Sequence, residues 1–227
     1  MALIPVGSVE GYGRHLPLGT DGLVAVAIAR RLADRLGCFV APLVPVGWTA
    51  ILADFPGTLS VSTDSLKAYC KGVALSLFRA PVAGVVFVNG HAGNIGALDE
   101  LCYELRSDDE DRFLACINVW HVLQSLSEGR LASTEKFGHA GELNTSVMLH
   151  LYPDLVHMDQ AQAQKAAGVL DPSGVVRPYR FSSVAPNASL GDPALATAEK
   201  GRDIVELAVD RLVEYLTDAR GRRPNGS

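Results

Sequence analysis

The sequence LIPVGSVEGYGRHLPLGTD, residues 3–21, determines the predicted fold of the whole chain. Its first four residues, Leu3 to Val6, are apolar and end at Gly7, which is typical of a short buried strand. After Asp21, apolar residues recur at helical spacing and predict an amphipathic helix, namely Leu23, Val24, Ala27, Ile28, Leu32 and Leu36. A strand, a polar loop and a helix in this order form the first half of a βαβ unit.

Three side chains suited to catalysis or metal binding lie on the loop of this unit: Glu10, His15 and Asp21. In parallel α/β sheets, the loops after the strands gather at one edge of the sheet, where ligands bind. The stretch therefore predicts both an α/β fold and the position of its functional site.

Length and composition limit the classes of protein to consider. The chain has 227 residues, and we expect one α/β domain over 1–219 followed by a disordered tail over 220–227. The net charge of −5 argues against a nucleic-acid partner. No apolar run approaches the ~18 residues of a membrane span, and no signal peptide is recognisable. Four cysteines without metal-type spacing indicate reduced thiols, so we expect a cytoplasmic protein with no membrane partner.

The remaining pattern alternates strands and helices. The run Gly84 to Val88 is apolar on both faces, as in a central parallel strand, and a helix follows the Gly-rich loop after it. We expect little regular structure between Gln160 and Pro193. The other expected elements are strands over Cys38 to Val46 and Phe113 to Trp120, and helices after Thr63, after Glu142 and from about Ala194 to about Leu216.

His91, His139 and Glu142 lie on further loops that a parallel sheet would bring towards Glu10 and Asp21. Two carboxylates and an imidazole can hold a divalent metal that activates water. Each residue also has a purely structural explanation. Glu10 could be an exposed loop acid, Asp21 a helix N-cap, and each histidine an ordinary turn residue.

A set of longer motifs resembles the creatininase family from Leu3 to about Leu212. These motifs are GSVE at 7–10, HLPLGTD at 15–21, FPGT at 55–58, NGHAGN at 89–94, HAGE at 139–142, TS at 145–146, LGDP at 190–193 and ATA at 196–198.

The resemblance implies a three-layer α/β/α sandwich with a mostly parallel sheet, a ring-like homohexamer, and a two-metal amidohydrolase centre using zinc, manganese or iron. It implies that Glu10, Asp21 and His91 hold one metal. Asp21 would bridge to a second metal, which Glu142 would also bind. His139 resembles the family's proton carrier, which makes it, with Glu142, the expected catalytic pair.

The sequence departs from the family pattern at the second metal position. Gly11-Tyr12-Gly13 stands where the family usually has Gln-His-Gly, and a phenol is a poor ligand at neutral pH. The histidine often found before FPGT is absent, and Asn144 stands where many members have Glu. One metal site is therefore expected, and the second is doubtful.

Substrate contacts are expected from Trp120, which resembles an aromatic wall of the creatinine pocket, and from Tyr12. Glu135, in place of a second pocket tryptophan, argues against creatinine itself. The resulting hypothesis is a metal-dependent amidohydrolase that cleaves a non-peptide or cyclic amide of a small molecule. The alternatives are a peptidase of the mycofactocin-precursor type and a non-catalytic binding protein with a degraded metal site.

Overall fold

The computed structural model of the chain describes residues 1–108, 112–132, 138–167 and 177–221. Within these ranges it contains a sheet of four strands: β1 (Ala2–Val6), β2 (Phe39–Val40), β3 (Gly84–Asn89) and β4 (Phe113–Asn118). The strand order is β2-β1-β3-β4, and all pairings are parallel. Val6 pairs with Asn89, which pairs with Asn118, so the carboxyl ends of three strands lie side by side.

Helices cover both faces of this sheet. The described helices are α1 (Thr20–Leu36), α2 (Thr63–Phe78), α3 (Ile95–Asp108), α4 (Val119–Leu126), α5 (Glu142–Leu151) and α6 (Ala198–Gly221). One core cluster joins Leu3 and Val86 to α1, α4, α5 and α6. A second cluster joins Ile4 and Phe87 on the opposite face to α2 and α3. The predicted α/β/α sandwich with a parallel sheet is confirmed.

Several predicted boundaries are wrong. The strand expected over Cys38 to Val46 is only Phe39–Val40, with an isolated bridge at Val44, because Pro42 and Pro45 interrupt the backbone ladder. The strand expected to reach Trp120 ends at Asn118, where α4 begins. The last helix begins at Ala198 instead of Ala194.

Other predictions fall partly outside the described ranges. Residues 222–227 of the predicted tail are not described, and α6 runs to Gly221, two residues into the range predicted as a tail. Between 160 and 193 the described residues form only single helical turns and isolated bridges. No helix in the described ranges combines the length and apolar character needed to cross a membrane.

Candidate metal centre

Glu10, Asp21 and His91 meet at the carboxyl edge of the sheet. Glu10 lies on the loop after β1, Asp21 lies in the first turn of α1, and His91 follows β3. One ligand atom from each lies within 4.8 Å of the others, and all three residues are buried. The convergence predicted from the sequence is present in the structure.

Asp21 accepts hydrogen bonds on both carboxylate oxygens. Oδ2 accepts from Ser8 Oγ at 2.8 Å and lies 2.9 Å from His91 Nδ1, and Oδ1 accepts from Tyr12 Oη at 2.9 Å and Trp120 Nε1 at 2.7 Å. Burial alone would raise the pKa of Asp21, but the contacts with His91, Trp120 and Ser8 outweigh it and lower the pKa. Gly19 occupies the N-cap position of α1, so the alternative of Asp21 as a helix cap is wrong.

His91 is held so that one ring nitrogen faces the carboxylates. Its Nε2 lies 3.0 Å from the carbonyl oxygen of Trp48, which can only accept, so Nε2 carries a hydrogen. Nδ1 then faces Asp21 Oδ2 at 2.9 Å and Glu10 Oε2 at 3.0 Å. A ligating histidine is characteristically oriented through its other nitrogen in this way.

Glu10 and Asp21 share the single positive charge that a protonated His91 can supply. Oε2 of Glu10 is buried and has no hydrogen-bond partner among the described residues, because the Nδ1 edge of His91 is directed at Asp21. Burial and the neighbouring Asp21 raise the pKa of Glu10 to about 8. Although burial lowers the pKa of His91, the two carboxylates raise it to about 9. Two carboxylates, one of them with an unsatisfied oxygen, and an imidazole lone pair form a ligand set that fits a divalent cation.

His139 lies beside this cluster, before α5. Its Nε2 lies 2.8 Å from the carbonyl oxygen of Gly11 and therefore donates, and its Nδ1 lies 3.9 Å from Glu10 Oε1. The ring packs against Tyr12 at 4.2 Å and Phe181 at 5.1 Å between centroids. Burial lowers the pKa of His139, so it is held neutral with Nδ1 as a base.

Tyr12 is fully enclosed. It donates its hydroxyl hydrogen to Asp21 and accepts a hydrogen bond from Asn144 Nδ2 at 3.3 Å. Burial and the carboxylates of Asp21 and Glu10 raise the pKa of Tyr12 well above its ordinary value. The phenol therefore stays protonated and orients Asp21.

Glu142 is the first residue of α5. Its Oε1 accepts hydrogen bonds from Lys200 Nζ at 2.6 Å and from the backbone nitrogen of Ala132 at 3.0 Å. The structure places Glu142 near the cluster but pairs its carboxylate with a lysine of α6. Among the described residues, the group that could hold a metal consists of Glu10, Asp21 and His91, and Glu142 is not part of it.

A cavity of about 240 Å³ opens onto the cluster. Glu10, Asp21, His91, His139 and Glu142 all line it. Its aromatic and aliphatic walls come from Tyr12, Trp48, Leu52, Trp120, Leu131, Phe181 and Leu190. Trp120 thus lies at the predicted substrate pocket, and it also donates to Asp21. Glu135, expected in place of a second pocket tryptophan, lies outside the described residues.

His15 lies outside the predicted role, and three further residues near the centre have no sequence signal. His15 is buried with its Nε2 2.9 Å from Thr145 Oγ1, and it is not part of the metal group. Ser8 and Trp48 position Asp21 and His91 without any separate sequence signal of their own. Lys200 reaches Glu142 across 58 positions of sequence, and no local pattern could indicate that contact.

Comparisons with known proteins identify the family of the chain. The family model for creatininase, described as creatinine amidohydrolase, matches residues 1–216. The chain is 34% identical over 228 residues to the mycofactocin precursor peptide peptidase of Mycobacterium ulcerans, covering 94% of this chain and 83% of that protein. It is 27% identical over 236 residues to the creatinine amidohydrolase of Pseudomonas putida, covering 95% and 88%.

Solved creatininase structures share the fold. A creatinine amidohydrolase (creatininase) crystal structure superposes with a TM-score of 0.82 at 26% identity, covering 99% of this chain and 91% of the other. Creatininases in a Zn–Zn form and in a Mn form superpose over the same shares, at 26% identity, with TM-scores of 0.80 and 0.79.

Proposed function

The chain belongs to the creatininase family, and from this membership we propose that it is a metal-dependent amidohydrolase that cleaves a carbon–nitrogen amide bond with an activated water. The observation that carries the proposal is the convergence of His91 Nδ1 and two buried carboxylates around the unsatisfied Oε2 of Glu10. Without a cation, these three acceptors would have to share protons inside a buried cluster.

Glu10, Asp21 and His91 would hold the metal. A divalent ion bound there would lower the pKa of a coordinated water to about 7 and polarise an amide carbonyl. The Zn–Zn and Mn creatininase structures support zinc or manganese as the first ions to test, with iron as a third. Ser8, Tyr12 and Trp120 donate to Asp21 and fix its orientation towards the ion.

His139 is the proton carrier of the proposed reaction. The carbonyl of Gly11 keeps the ring hydrogen on Nε2, which leaves the Nδ1 lone pair on the side of Glu10. Nδ1 can accept a proton from the attacking water and donate it to the departing nitrogen. We assign Glu142 a supporting role, because its carboxylate is engaged by Lys200.

The cavity supports a small substrate. About 240 Å³ accommodates one compact ring or one amide with a short substituent, and both Trp120 and Tyr12 line this space. Leu52 and Phe181 add apolar surface to the lining. A cyclic or other non-peptide amide fits this space.

A peptide is the second candidate substrate. The observation that favours it is sequence identity, which is 34% to the mycofactocin precursor peptide peptidase and 27% to the creatinine amidohydrolase. Because the cavity is small, we expect such a peptide to insert only its terminal residues.

Metal analysis and a substrate panel test the proposal. Untagged protein is dialysed against zinc or manganese, freed of loose ions by gel filtration, and assayed for bound metal and for hydrolysis of cyclic amides, formamides and short peptides. We expect stoichiometric metal and hydrolysis of at least one class. His91→Ala should lose both, whereas His150→Ala, at a half-exposed position on α5, should retain both.

Two outcomes would contradict this function. Protein that takes up no ion after loading would instead support the non-catalytic binding protein. Unchanged hydrolysis by His91→Ala would exclude the proposed centre even if metal were present elsewhere.

Assembly and location are further proposals from family membership. We propose a homohexamer in the cytoplasm. Light scattering of the purified protein should give six times the mass of the chain, and a monomeric mass would reject the hexamer.

A further inference from the structure

Glu142 and Lys200 form an ion pair beside the candidate metal centre, in which the glutamate is buried and the lysine is partly exposed. Glu142 opens α5 and Lys200 lies in the first turn of α6, with Nζ 2.6 Å from Oε1 of the carboxylate. The same Nζ donates to the carbonyl oxygen of Leu195 at 2.7 Å. The glutamate side chain is 1% exposed and the lysine side chain 27% exposed. The ammonium group of Lys200 therefore balances the negative charge of Glu142, and no metal ion is needed there for that purpose.

On the Asp21 side of the centre, neutral groups donate hydrogen bonds to the carboxylate. Oδ1 of Asp21 accepts from both Tyr12 and Trp120, which uses both of its lone pairs. The Tyr12 oxygen is in turn engaged by Asn144. Asp21 consequently has no lone pair on Oδ1 with which to bridge to a second ion.

The buried charges agree with these contacts. The buried acidic side chains of the described chain are Glu10, Asp21 and Glu142. Once the Lys200 ammonium is counted, three carboxylates leave two negative charges, which a single divalent ion neutralises. A second divalent ion would bring an excess of buried positive charge, which is costly without further anions.

We propose that this chain holds one divalent ion per subunit, with Lys200 and Tyr12 taking the place of the second ion found in the Zn–Zn creatininase. This inference rests on the proposed function, because it presupposes the ion at Glu10, Asp21 and His91. The Lys200 ammonium supplies the positive charge at Glu142, and the Tyr12 hydroxyl supplies the donor at Asp21.

The first test counts ions in the untagged wild-type protein. Protein loaded with excess zinc or manganese is passed through gel filtration and examined by native mass spectrometry and elemental analysis. One ion per chain supports the inference. Two ions overturn it and leave the proposed function intact, whereas no bound ion overturns both.

The second test attempts to restore the second ion. The double variant Tyr12→His with Lys200→Met supplies an imidazole beside Asp21 and releases Glu142 from its ammonium partner. We expect its metal content to rise from one ion to two. A folded double variant that still binds one ion would show that these two residues are not what limits the count.

Matched variants control for side effects. Tyr215→His adds a histidine at a site that is 58% exposed on α6, away from the cluster, and should leave the count at one. Tyr12→Phe removes the hydroxyl without adding a ligand and should also bind one ion. If either variant bound a second ion, the uptake would not depend on a new histidine beside Asp21 together with the loss of Lys200. That result would overturn the assignment to Tyr12 and Lys200.

Discussion

At the scale of single residues, the orientation of His91 depends on the backbone around it. A Cβ atom added to Gly93 would lie 2.5 Å from both His91 Nε2 and the Trp48 carbonyl oxygen. That hydrogen bond decides which nitrogen faces Glu10 and Asp21. Glycine at position 93 therefore leaves room for the hydrogen bond between the His91 ring and the Trp48 carbonyl group.

We predict that Gly93→Ala weakens metal binding about 10- to 100-fold, the usual effect of losing the partner that orients a ligand. Competition with a chromophoric chelator would measure the zinc affinity. Gly96→Ala is the matched control, because no atom lies within 4 Å of its added Cβ, and it should bind as tightly as wild type. Equal affinities for all three proteins would contradict the role given to Gly93.

His15 illustrates a histidine that serves stability. It is buried with Nε2 against Thr145 Oγ1, and burial lowers its pKa from 6.5. The unfolded chain therefore binds the proton more readily. The stability contributed by neutral His15 is complete above pH 6.5 and declines as the pH falls towards the folded pKa.

We predict that His15→Gln loses part of the acid sensitivity of folding. Urea unfolding at pH 7, 6 and 5 should show a smaller fall in unfolding free energy than in wild type, by at most about 1.4 kcal/mol per pH unit. The comparison uses differences between the two proteins, so the other histidines cancel. Identical slopes would show that His15 does not titrate between the folded and unfolded states.

Two residues of the candidate metal centre could be placed from sequence because each follows a strand, whereas the full ligand set of Glu10, Asp21 and His91 came from the resemblance to the creatininase family. Glu10 and His91 come after apolar runs that end in glycine-rich loops, and a parallel sheet gathers such loops at one edge. The partner of Glu142 was not predictable. Lys200 is an ordinary charged residue of an amphipathic helix, and its contact depends on how α5 packs on α6.

At the scale of elements, the close packing of α5 and α6 brings Glu142 and Lys200 together. A Cβ atom on Gly201 would overlap the carbonyl oxygen of Ser146, which belongs to the α5 backbone and cannot rotate away. Gly201 thus allows the two helices to approach closely immediately after Lys200.

We predict that Gly201→Ala destabilises the protein by about 1–3 kcal/mol, the usual range for overpacking, despite alanine's better helix propensity. Urea unfolding would measure the loss. Gly72→Ala in α2 is the control, because its added Cβ meets open space, and it should be neutral or stabilise by up to about 1 kcal/mol. A Gly201→Ala protein as stable as Gly72→Ala would show that the helices can separate without cost.

The element boundaries were less predictable than the order of the elements. The run from Phe113 to Trp120 is apolar on both sides of Asn118, so its pattern favours one continuous strand, although Asn118 is the N-cap of α4 and marks the change from strand to helix. The prolines at 42 and 45 explain why β2 leaves the sheet early, but its length of two residues depends on pairing with β1.

At the scale of the whole molecule, the candidate metal centre brings together segments that are distant in sequence. Glu10 lies on the loop between β1 and α1, Asp21 lies in the first turn of α1, His91 follows β3, and Trp120 lies in the first turn of α4. An ion held by the first three residues would link both βα units at the sheet edge. An ion that binds only the folded chain stabilises it in proportion to its affinity.

We therefore predict that metal removal lowers the melting temperature. At a free ion concentration about 100 times the dissociation constant, binding contributes about 2.7 kcal/mol, or about 5–10 °C for a chain of this length. Differential scanning calorimetry of the protein with zinc and after dialysis against a chelator would measure the shift. His91→Ala should show no shift, because one of its three ligands is lost, whereas His150→Ala should match wild type. If His91→Ala retained the full shift, the stabilising ion would have to bind at a different place in the molecule, and the linkage between the two βα units through His91 would be rejected.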